Sequence, residues 1–243
     1  MLLRNSPGLA APTLNLVGST TQRKRFGVMA AVGSAALLVA GCQIMPGQTY
    51  VGEGTYYAGD GSGNCSYPAG GGVLYAAMNE EDYEGSLNCG AYIEATGPKG
   101  TVTVKVVDRC PECAPGDVDF SPEAFDLIAN RVDGRVPISW HLVSAPGSVG
   151  SLSFVVKDGS NPWWIAFQVR DHANIVTTLE AQVAGAWVPL ERQQYNYFLA
   201  PSGLGTGPFT LRVTDIHGQQ LVRAGITLSP TVVQATSLQF TRH

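Results

Sequence analysis

The chain has 243 residues, of which 44% are hydrophobic and 14% are charged, a composition typical of a folded globular protein rather than a disordered one. Its 15 basic and 19 acidic residues give a formal net charge of −4 at pH 7. This acidic balance argues against a nucleic-acid-binding protein, because such proteins carry basic surfaces.

The first 41 residues predict a targeting segment. Arg23–Arg25 is basic, and Phe26–Ala40 is an apolar run that is short for a membrane span but suits the core of a signal peptide. The run ends in LVAGC, which resembles a bacterial lipobox with Cys42 as the lipid-bearing residue. We therefore expect a lipoprotein-type signal peptide over 1–41 and a lipid anchor at Cys42, with Gln43 favouring the outer membrane. The alternative is an ordinary cleaved signal peptide and a secreted protein.

Two domains are expected after the signal peptide. Its removal takes away four of the 15 basic residues and none of the 19 acidic ones, so the mature net charge is about −8. We place a short tether at 42–51, an acidic first domain at 52–144 and a nearly balanced second domain at 147–243. The negative charge favours a neutral glycan over an anionic polymer as the ligand.

Four cysteines remain when Cys42 is set aside, and they allow three pairings. Because export leads to an oxidising compartment, we expect the disulfides Cys65–Cys89 and Cys110–Cys113. The CPEC motif at 110–113 also fits a redox pair or half of a zinc site. However, the next helix begins only at Pro122, and the other two cysteines are far apart in sequence, so we predict no metal and no cofactor.

The first domain is expected to be mainly β, with one helix. Thr101–Val107 is β-branched at nearly every position, which predicts a strand buried on both faces. Ser121 is a good N-cap and Pro122 suits the first helical position, so a short helix is expected to begin there. Apolar residues alternate with others over Val136–Leu142, which predicts a half-buried strand.

Two aspartates flank the loop that follows the first of these strands. Asp108 ends the apolar run, and Asp119 precedes the helix. Two carboxylates that a loop returns to one surface suit a polysaccharide groove, where acids act on or grip sugar hydroxyls. The hydroxyl of Thr55 is a candidate third member. The alternative is that both aspartates cap turns.

The second domain is expected to be a β-sandwich. Strand-like segments recur with regular turn signals between them, and no segment predicts a helix. The predicted strands are Leu152–Lys157, Trp163–Arg170, Val176–Val183, Phe209–Thr214 and Leu221–Leu228.

Adjacent tryptophans mark the second of these segments. Coplanar aromatic rings match the flat apolar faces of a crystalline glycan. Strict strand alternation would bury Trp163 in phase with Ile165 and expose only Trp164. For both rings to face outward, the backbone must bulge or stay irregular after Pro162.

The chain resembles the bacterial expansins over residues 52 to about 240. The stretches that carry the resemblance are GEGTYY, ATGPKGTVTVKVVDRCPECAPGDVDFSPEAF, VKDGSNPWWIAFQVRDH, QQYNYF and LGTGPFTLRVTDIHG. The resemblance implies a six-stranded double-psi β-barrel followed by an immunoglobulin-like β-sandwich. It also implies that the sandwich binds cellulose and that plant cell walls are loosened without hydrolysis.

The resemblance also assigns site residues. It implies a polar groove with Asp119 essential for wall loosening, and an exposed aromatic platform with a basic residue near it. The groove residues are Thr55, Asp108 and Asp119; the platform residues are Trp163, Trp164 and Tyr195, with Lys157 beside them. One departure is that Cys110 stands where many bacterial expansins have a sugar-stacking tyrosine. Either the groove lacks that ring, or Tyr56 or Tyr57 replaces it.

A non-hydrolytic protein is the function we expect. Inverting hydrolysis needs a base besides the acid Asp119, and Asp60, the nearest candidate in sequence, lies in a glycine-rich turn that is expected to face solvent. The expected partners are cellulose and matrix glucans of plant walls, with no nucleic acid and with membrane contact only through a lipid anchor. The alternative is an RlpA-like lytic transglycosylase that needs only one acid and acts on peptidoglycan. A third possibility is a carbohydrate-binding adhesin with an inert barrel.

Overall fold

A computed structural model describes residues 44–243. The predicted signal peptide and the predicted lipidation site, Cys42, therefore lie outside the described residues. Between 44 and 243, no helix is long and apolar enough to cross a membrane. The described chain is mainly β, and it consists of a closed barrel followed by two further sheets, which confirms the predicted fold class.

Six strands close the barrel in the order β1-β5-β2-β4-β3-β6. Their bounds are β1 (Thr49–Tyr56), β2 (Tyr75–Asn79), β3 (Tyr92–Gly97), β4 (Gly100–Cys110), β5 (Val118–Phe120) and β6 (Val136–Val143). β1 pairs with β5, and β2 with β4, in parallel, whereas the remaining pairs are antiparallel.

Two short helices pack on the barrel, α1 (Glu80–Tyr83) and α2 (Pro122–Ile128). The Ser121 hydroxyl accepts a hydrogen bond from the backbone N–H of Ala124, so the predicted N-cap begins α2. Phe125 and Ile128 of α2 are fully buried in the barrel core. The helix therefore covers one side of the barrel with an apolar face.

The structure differs from the sequence-based expectation in β4 and β1. β4 is not buried on both faces: Val102 and Val104 point into the core, whereas Thr101 is exposed. The barrel also begins within the predicted tether, because β1 starts at Thr49 and Ile44 is only 2% exposed. The β-branched residues of β4 thus favour the strand without requiring burial of both faces.

Two sheets share one apolar core and form a sandwich. One sheet has the order β10-β9-β13-β14 and the other β11-β12-β8-β7-β15. The strands are β7 (Ser153–Val156), β8 (Ile165–Arg170), β9 (Val176–Val183), β10 (Ala186–Pro189), β11 (Glu191–Gln193), β12 (Tyr197–Ala200), β13 (Phe209–Asp215), β14 (Gln220–Ile226) and β15 (Val233–Ala235).

Barrel and sandwich belong to one compact unit. The backbone carbonyl of Cys65 in the barrel accepts hydrogen bonds from the side-chain amides of Gln168 (2.8 Å) and Asn196 (3.1 Å) in the sandwich. Cys65 is also disulfide-bonded to Cys89. The two amides therefore attach the outward face of the five-stranded sheet to the backbone at Cys65, which the disulfide holds in place.

Candidate functional site

Strand register brings the three predicted groove residues into one row. Thr55 of β1 is opposite Asp119 of β5, Asp119 is opposite Ala77 of β2, and Ala77 is opposite Asp108 of β4. The β2–β4 register skips Val107, so a bulge places Asp108 rather than Val107 opposite Ala77. The two carboxylates and the hydroxyl thus lie at one level across four neighbouring strands.

Asp119 is half-buried and is bound by Thr55. The Thr55 hydroxyl donates a hydrogen bond of 2.6 Å to Oδ1 of Asp119. Burial raises the pKa of Asp119; the bond from Thr55 and the charge of Arg135 oppose the rise, whereas Glu112 adds to it. Burial dominates, so Asp119 keeps its proton to a higher pH than a free aspartate does.

Asp108 holds a neighbouring loop in place. Its Oδ1 accepts hydrogen bonds from the backbone N–H groups of Asn64 (2.7 Å) and Arg109 (2.8 Å). Gly63 lies so close that a Cβ there would collide with the Asp108 carboxyl group. Asp108 therefore does cap a turn, as the alternative reading expects, and its Oδ2 is the oxygen left for a ligand.

Tyr57, rather than Tyr56, accompanies the carboxylates. Tyr57 is two residues from Thr55 on the chain and packs edge-to-face on Tyr75, with 5.9 Å between ring centroids. Burial, followed by the charge of Asp108, raises the pKa of its hydroxyl. That hydroxyl is buried and has no hydrogen-bond partner among residues 44–243. Tyr56 instead packs on Phe125 of α2.

The loop between the aspartates is fixed at several points. Cys110 and Cys113 are disulfide-bonded, as expected, so no tyrosine-like ring is present at position 110. The N–H of Gly116 donates to Oδ2 of Asp82 (2.9 Å), and the carbonyl of Gly116 accepts from the indole of Trp140 (2.8 Å). The row of Thr55, Asp119 and Asp108 is therefore bordered by a loop that is held at several points. No cluster of three or more metal-ligating side chains occurs in the described part of the chain.

Trp163 and Trp164 lie in a tight turn and not in a strand. Asn161 and Trp164 exchange two backbone hydrogen bonds, of 2.8 and 3.2 Å, and the Asn161 side chain accepts from the N–H of Trp163 (3.0 Å). β8 begins only at Ile165. Strand alternation therefore does not apply to Trp163, which is 77% exposed, whereas Trp164 is half-buried.

Tyr195 and Lys157 lie together on the five-stranded sheet. The Lys157 ammonium is 5.9 Å from the ring centroids of both Tyr195 and Tyr197, and the two rings are themselves 5.9 Å apart. Lys157 follows β7 and pairs with Ala166 of β8, next to the turn that carries the tryptophans. Trp163, Trp164 and Tyr195, termed the platform below, are thus presented by neighbouring segments of one sheet.

The barrel region matches a family model described as lytic transglycolase over residues 49–140. Expansin-YoaJ of Bacillus subtilis (strain 168) is 44% identical over 130 residues, which cover 54% of this chain and 55% of that protein. Expansin-like protein 5 of Dictyostelium discoideum is 30% identical over 179 residues, which cover 68% of this chain and 74% of that protein.

Solved structures extend the match to both parts of the chain. A crystal structure of a mutant Clavibacter michiganensis expansin in complex with cellohexaose matches with a TM-score of 0.76 and 36% identity, and covers 80% of this chain and 98% of that chain. The apo form of the Clavibacter expansin matches equally well, at 37% identity. The chain belongs to the expansin family. Its match to the Bacillus expansin spans about half of that protein's length.

Within the expansin fold, the two features that complete the row of Thr55, Asp119 and Asp108 differ in how far the sequence predicts them. The position of Tyr57 beside the carboxylates follows from strand parity with Thr55, a signal that the sequence does contain once β1 is recognised. The bulge that aligns Asp108 with Asp119 leaves no comparable signal. Asp60, the candidate base, is exposed and accepts hydrogen bonds at Oδ1 from the N–H (2.9 Å) and hydroxyl (2.5 Å) of Ser62.

Proposed function

We propose that this expansin loosens plant cell walls without hydrolysis, by binding cellulose and related glucans and weakening the contacts between their chains. The exposure of Trp163 carries this proposal. An indole that is 77% exposed at the tip of a rigid turn offers a flat apolar surface to the C–H faces of sugar rings. Gly203 supports the turn: a Cβ there would collide with the carbonyl oxygen of Pro162.

The groove supplies complementary hydrogen-bonding groups. Because burial raises the pKa of Asp119, its carboxyl group keeps a proton to a higher pH than a free aspartate does, and the protonated form donates to a glucan oxygen. Oδ2 of Asp108 accepts from a sugar hydroxyl. A glucan chain bound in this way forms hydrogen bonds with the protein in place of those with neighbouring glucan chains. Weak contacts suffice, since the platform keeps the groove at high effective concentration.

Neither Asp60 nor Asp108 has the features of an activated base for hydrolysis. Inversion needs a carboxylate about 6.5–9.5 Å from the acid to deprotonate water. The hydrogen bonds from Ser62 lower the pKa of Asp60, which makes it a weaker base than a free aspartate. Oδ1 of Asp108 is occupied by two backbone N–H groups. The groove therefore favours gripping over cleavage.

Export places the protein next to its proposed ligand. We propose secretion or a lipid anchor at Cys42, as the LVAGC motif indicates. Labelling of the full chain with a palmitate analogue tests the anchor, because the label should disappear in Cys42→Ala. Labelling that persists in this variant would exclude Cys42 as the lipidated residue.

Depletion binding tests the proposal first. Residues 43–243 should bind microcrystalline cellulose, and Trp163→Ala/Trp164→Ala should abolish the binding. Extension of a plant wall strip under load should be accelerated by the wild type and not by Asp119→Asn, without release of reducing sugar. Robust sugar release that disappears in Asp60→Asn would overturn the non-hydrolytic assignment. Unchanged extension with Asp119→Asn would favour a binding protein with an inert barrel.

A lytic transglycosylase is the second candidate, favoured by the family model over residues 49–140 and by the raised pKa of Asp119. One protonated acid suffices there, because a hydroxyl of the sugar itself completes the cleavage. Digestion of purified peptidoglycan sacculi tests this function. Release of anhydro-sugar products by the wild type but not by Asp119→Asn would establish it.

A further inference from the structure

A cleft lies where the barrel meets the sandwich, outside the groove and the platform. It has a volume of about 190 Å³. Its barrel side includes Pro68, Tyr75 and Lys105, and its sandwich side includes Arg170 and Asp171. A second depression adjoins it, shares Pro68 and Arg170, and extends toward the platform. The cleft is therefore one section of a continuous surface.

Unpaired cations line this surface in an otherwise acidic chain. Among residues 44–243, Lys105, Arg170 and Lys157 have no carboxylate oxygen within 4.0 Å of their charged nitrogens. Lys105 and Arg170 face the cleft, and Arg170 and Lys157 face the adjoining depression. The acids at the rim, Asp171 and Asp158, are fewer than the cations. The local charge is therefore positive.

Both cleft cations are held in position. Nε of Arg170 donates to Oε1 of Gln168 (2.5 Å), and Nε2 of Gln168 donates to the carbonyl of Cys65 (2.8 Å), so the guanidinium is oriented before a ligand arrives. The Lys105 ammonium lies 4.0 Å above the ring of Tyr67. Burial lowers the pKa of Lys105, and the charge of Asp171 offsets this only in part, as expected for a cation that has lost water without a salt bridge.

The size and neighbours of the cleft indicate what it holds. Its volume of about 190 Å³ lies below the roughly 300–1,000 Å³ of pockets that take drug-sized ligands, which suits one small group such as a single sugar ring. Tyr75 lines the cleft and also packs on Tyr57 of the groove. Lys157 links the adjoining depression to Tyr195 of the platform. A group in the cleft would thus branch from a chain that lies along groove and platform.

We propose that the cleft binds a carboxylate-bearing sugar, a uronic acid branch on a neutral glycan backbone, with its carboxylate on Arg170 and Lys105. The guanidinium fork matches a carboxylate in two-point geometry, and the tyrosine and proline surfaces match the sugar ring. The inference rests on the proposed function, because the backbone is assumed to follow the groove and platform. Continuous polyuronates fit poorly, since their further charges would meet the acidic barrel within about one Debye length.

Matched polysaccharides test the proposal. Titration calorimetry at low salt compares a xylan with glucuronic acid branches with the same xylan after its carboxylates have been reduced to alcohols. The wild type should bind the acidic form about tenfold more tightly. Lys105→Met and Arg170→Gln should each remove most of this preference. Lys99→Met makes the same change in net charge at a lysine bonded to the carbonyl of Asp126, and should retain the preference.

Cellulose depletion measured with the same samples separates the two proposals. Lys105→Met and Arg170→Gln should bind cellulose as the wild type does, which also shows that they are folded. Equal wild-type affinity for the two xylans, or a preference that survives in both variants, would overturn the uronate cleft. Tighter binding of polygalacturonate than of the branched xylan would do the same. Failure of the wild type to bind cellulose would instead overturn the proposed function.

Discussion

The hydroxyl of Tyr83 in the barrel donates a hydrogen bond of 2.7 Å to the backbone carbonyl of Gln194 in the sandwich. Gln194 directly precedes Tyr195 of the platform. The hydroxyl of Ser86 makes a similar bond, of 2.8 Å, to the carbonyl of Gln193. The barrel therefore fixes the turn that presents one of the three platform rings, and this couples platform geometry to barrel integrity.

Tyr83→Phe should weaken cellulose binding without removing any platform ring. The loss of one buried hydrogen bond costs about 1 kcal/mol, and the freed turn should raise the Kd for cellulose by up to about fivefold in depletion assays. Tyr50→Phe is the control, because the Tyr50 hydroxyl bonds the N–H of Met45 and contacts neither turn nor platform. Equal loss in both variants would indicate general destabilisation instead of coupling.

Trp163→Ala should weaken cellulose binding by about tenfold or more while leaving the melting temperature nearly unchanged, because an exposed ring contributes to binding and little to folding. Trp187→Ala is the matched control. Trp187 lies in β10 of the other sheet, with the Arg212 guanidinium 4.5 Å above its ring. Depletion isotherms and thermal melts measure both quantities. If Trp187→Ala reduced binding as much, the platform would not be the cellulose surface.

Asp119→Asn should abolish wall loosening and yet stabilise the fold at neutral pH. Because burial raises the pKa of Asp119, its ionised form costs the folded state free energy above that pKa, and this cost is absent in acid, where folded and unfolded chains are both protonated. With allowance for solvent screening, the gain is up to about 1 kcal/mol, or about 2–4 °C in melting temperature at pH 7.

Melts of the Asp119→Asn protein at pH 3 and pH 7 check the sign, since the gain should vanish at the lower pH. Asp60→Asn provides the opposite case. The hydrogen bonds from Ser62 lower the pKa of Asp60, so its removal should not stabilise the protein at pH 7. A stabilising Asp60→Asn together with a neutral Asp119→Asn would contradict the electrostatic account of the groove.

Acid should destabilise the fold through His172. Its Nδ1 donates to the carbonyl of Asn174 (2.8 Å), and burial, followed by the charge of Lys105, lowers its pKa from 6.5 to about 4. As the pH falls from about 6.5 to about 4, this histidine takes up a proton in the unfolded chain but not in the folded one. The free energy of unfolding therefore decreases by up to about 3 kcal/mol.

Urea denaturation across this pH range should show a shallower loss of stability in His172→Gln than in the wild type. His141→Gln is the control, because His141 lies at the barrel surface, 3.8 Å from Glu94. An unchanged slope in His172→Gln would assign the acid sensitivity to other groups.

The sequence predicts the helix at Pro122 from its capping residue and most sandwich strands from their alternation, since both signals lie in neighbouring residues. It predicts both disulfides because export exposes the whole chain to an oxidising compartment. It misses β10, β11, β12 and β15, which have only three or four residues each and show no clear alternation. Such strands form because longer neighbours in the sheet offer them hydrogen-bond partners.

The site needed information that no local pattern holds. Alternation predicts a buried Trp163, but the backbone stays irregular after Pro162, as the alternative requires, because a turn from Asn161 ends only at Trp164. The alignment of Asp108 with Asp119 depends on a bulge at Val107, which pairing with β2 imposes. The resemblance to expansins indicates the groove and platform residues, which periodicity alone does not, because members of a family share strand register and turn geometry.

Oδ1 of Asp108 has a structural role that is separate from any contact with a sugar. The same oxygen that binds the N–H groups of Asn64 and Arg109 also holds the loop after β1, which continues to Gly71 and Gly72 in the wall of the cleft between barrel and sandwich. An alanine scan would therefore register Asp108 as indispensable even if no sugar ever touched it. Asp108→Asn keeps an oxygen acceptor for both N–H groups and removes only the charge, so the difference between the two phenotypes separates scaffolding from recognition.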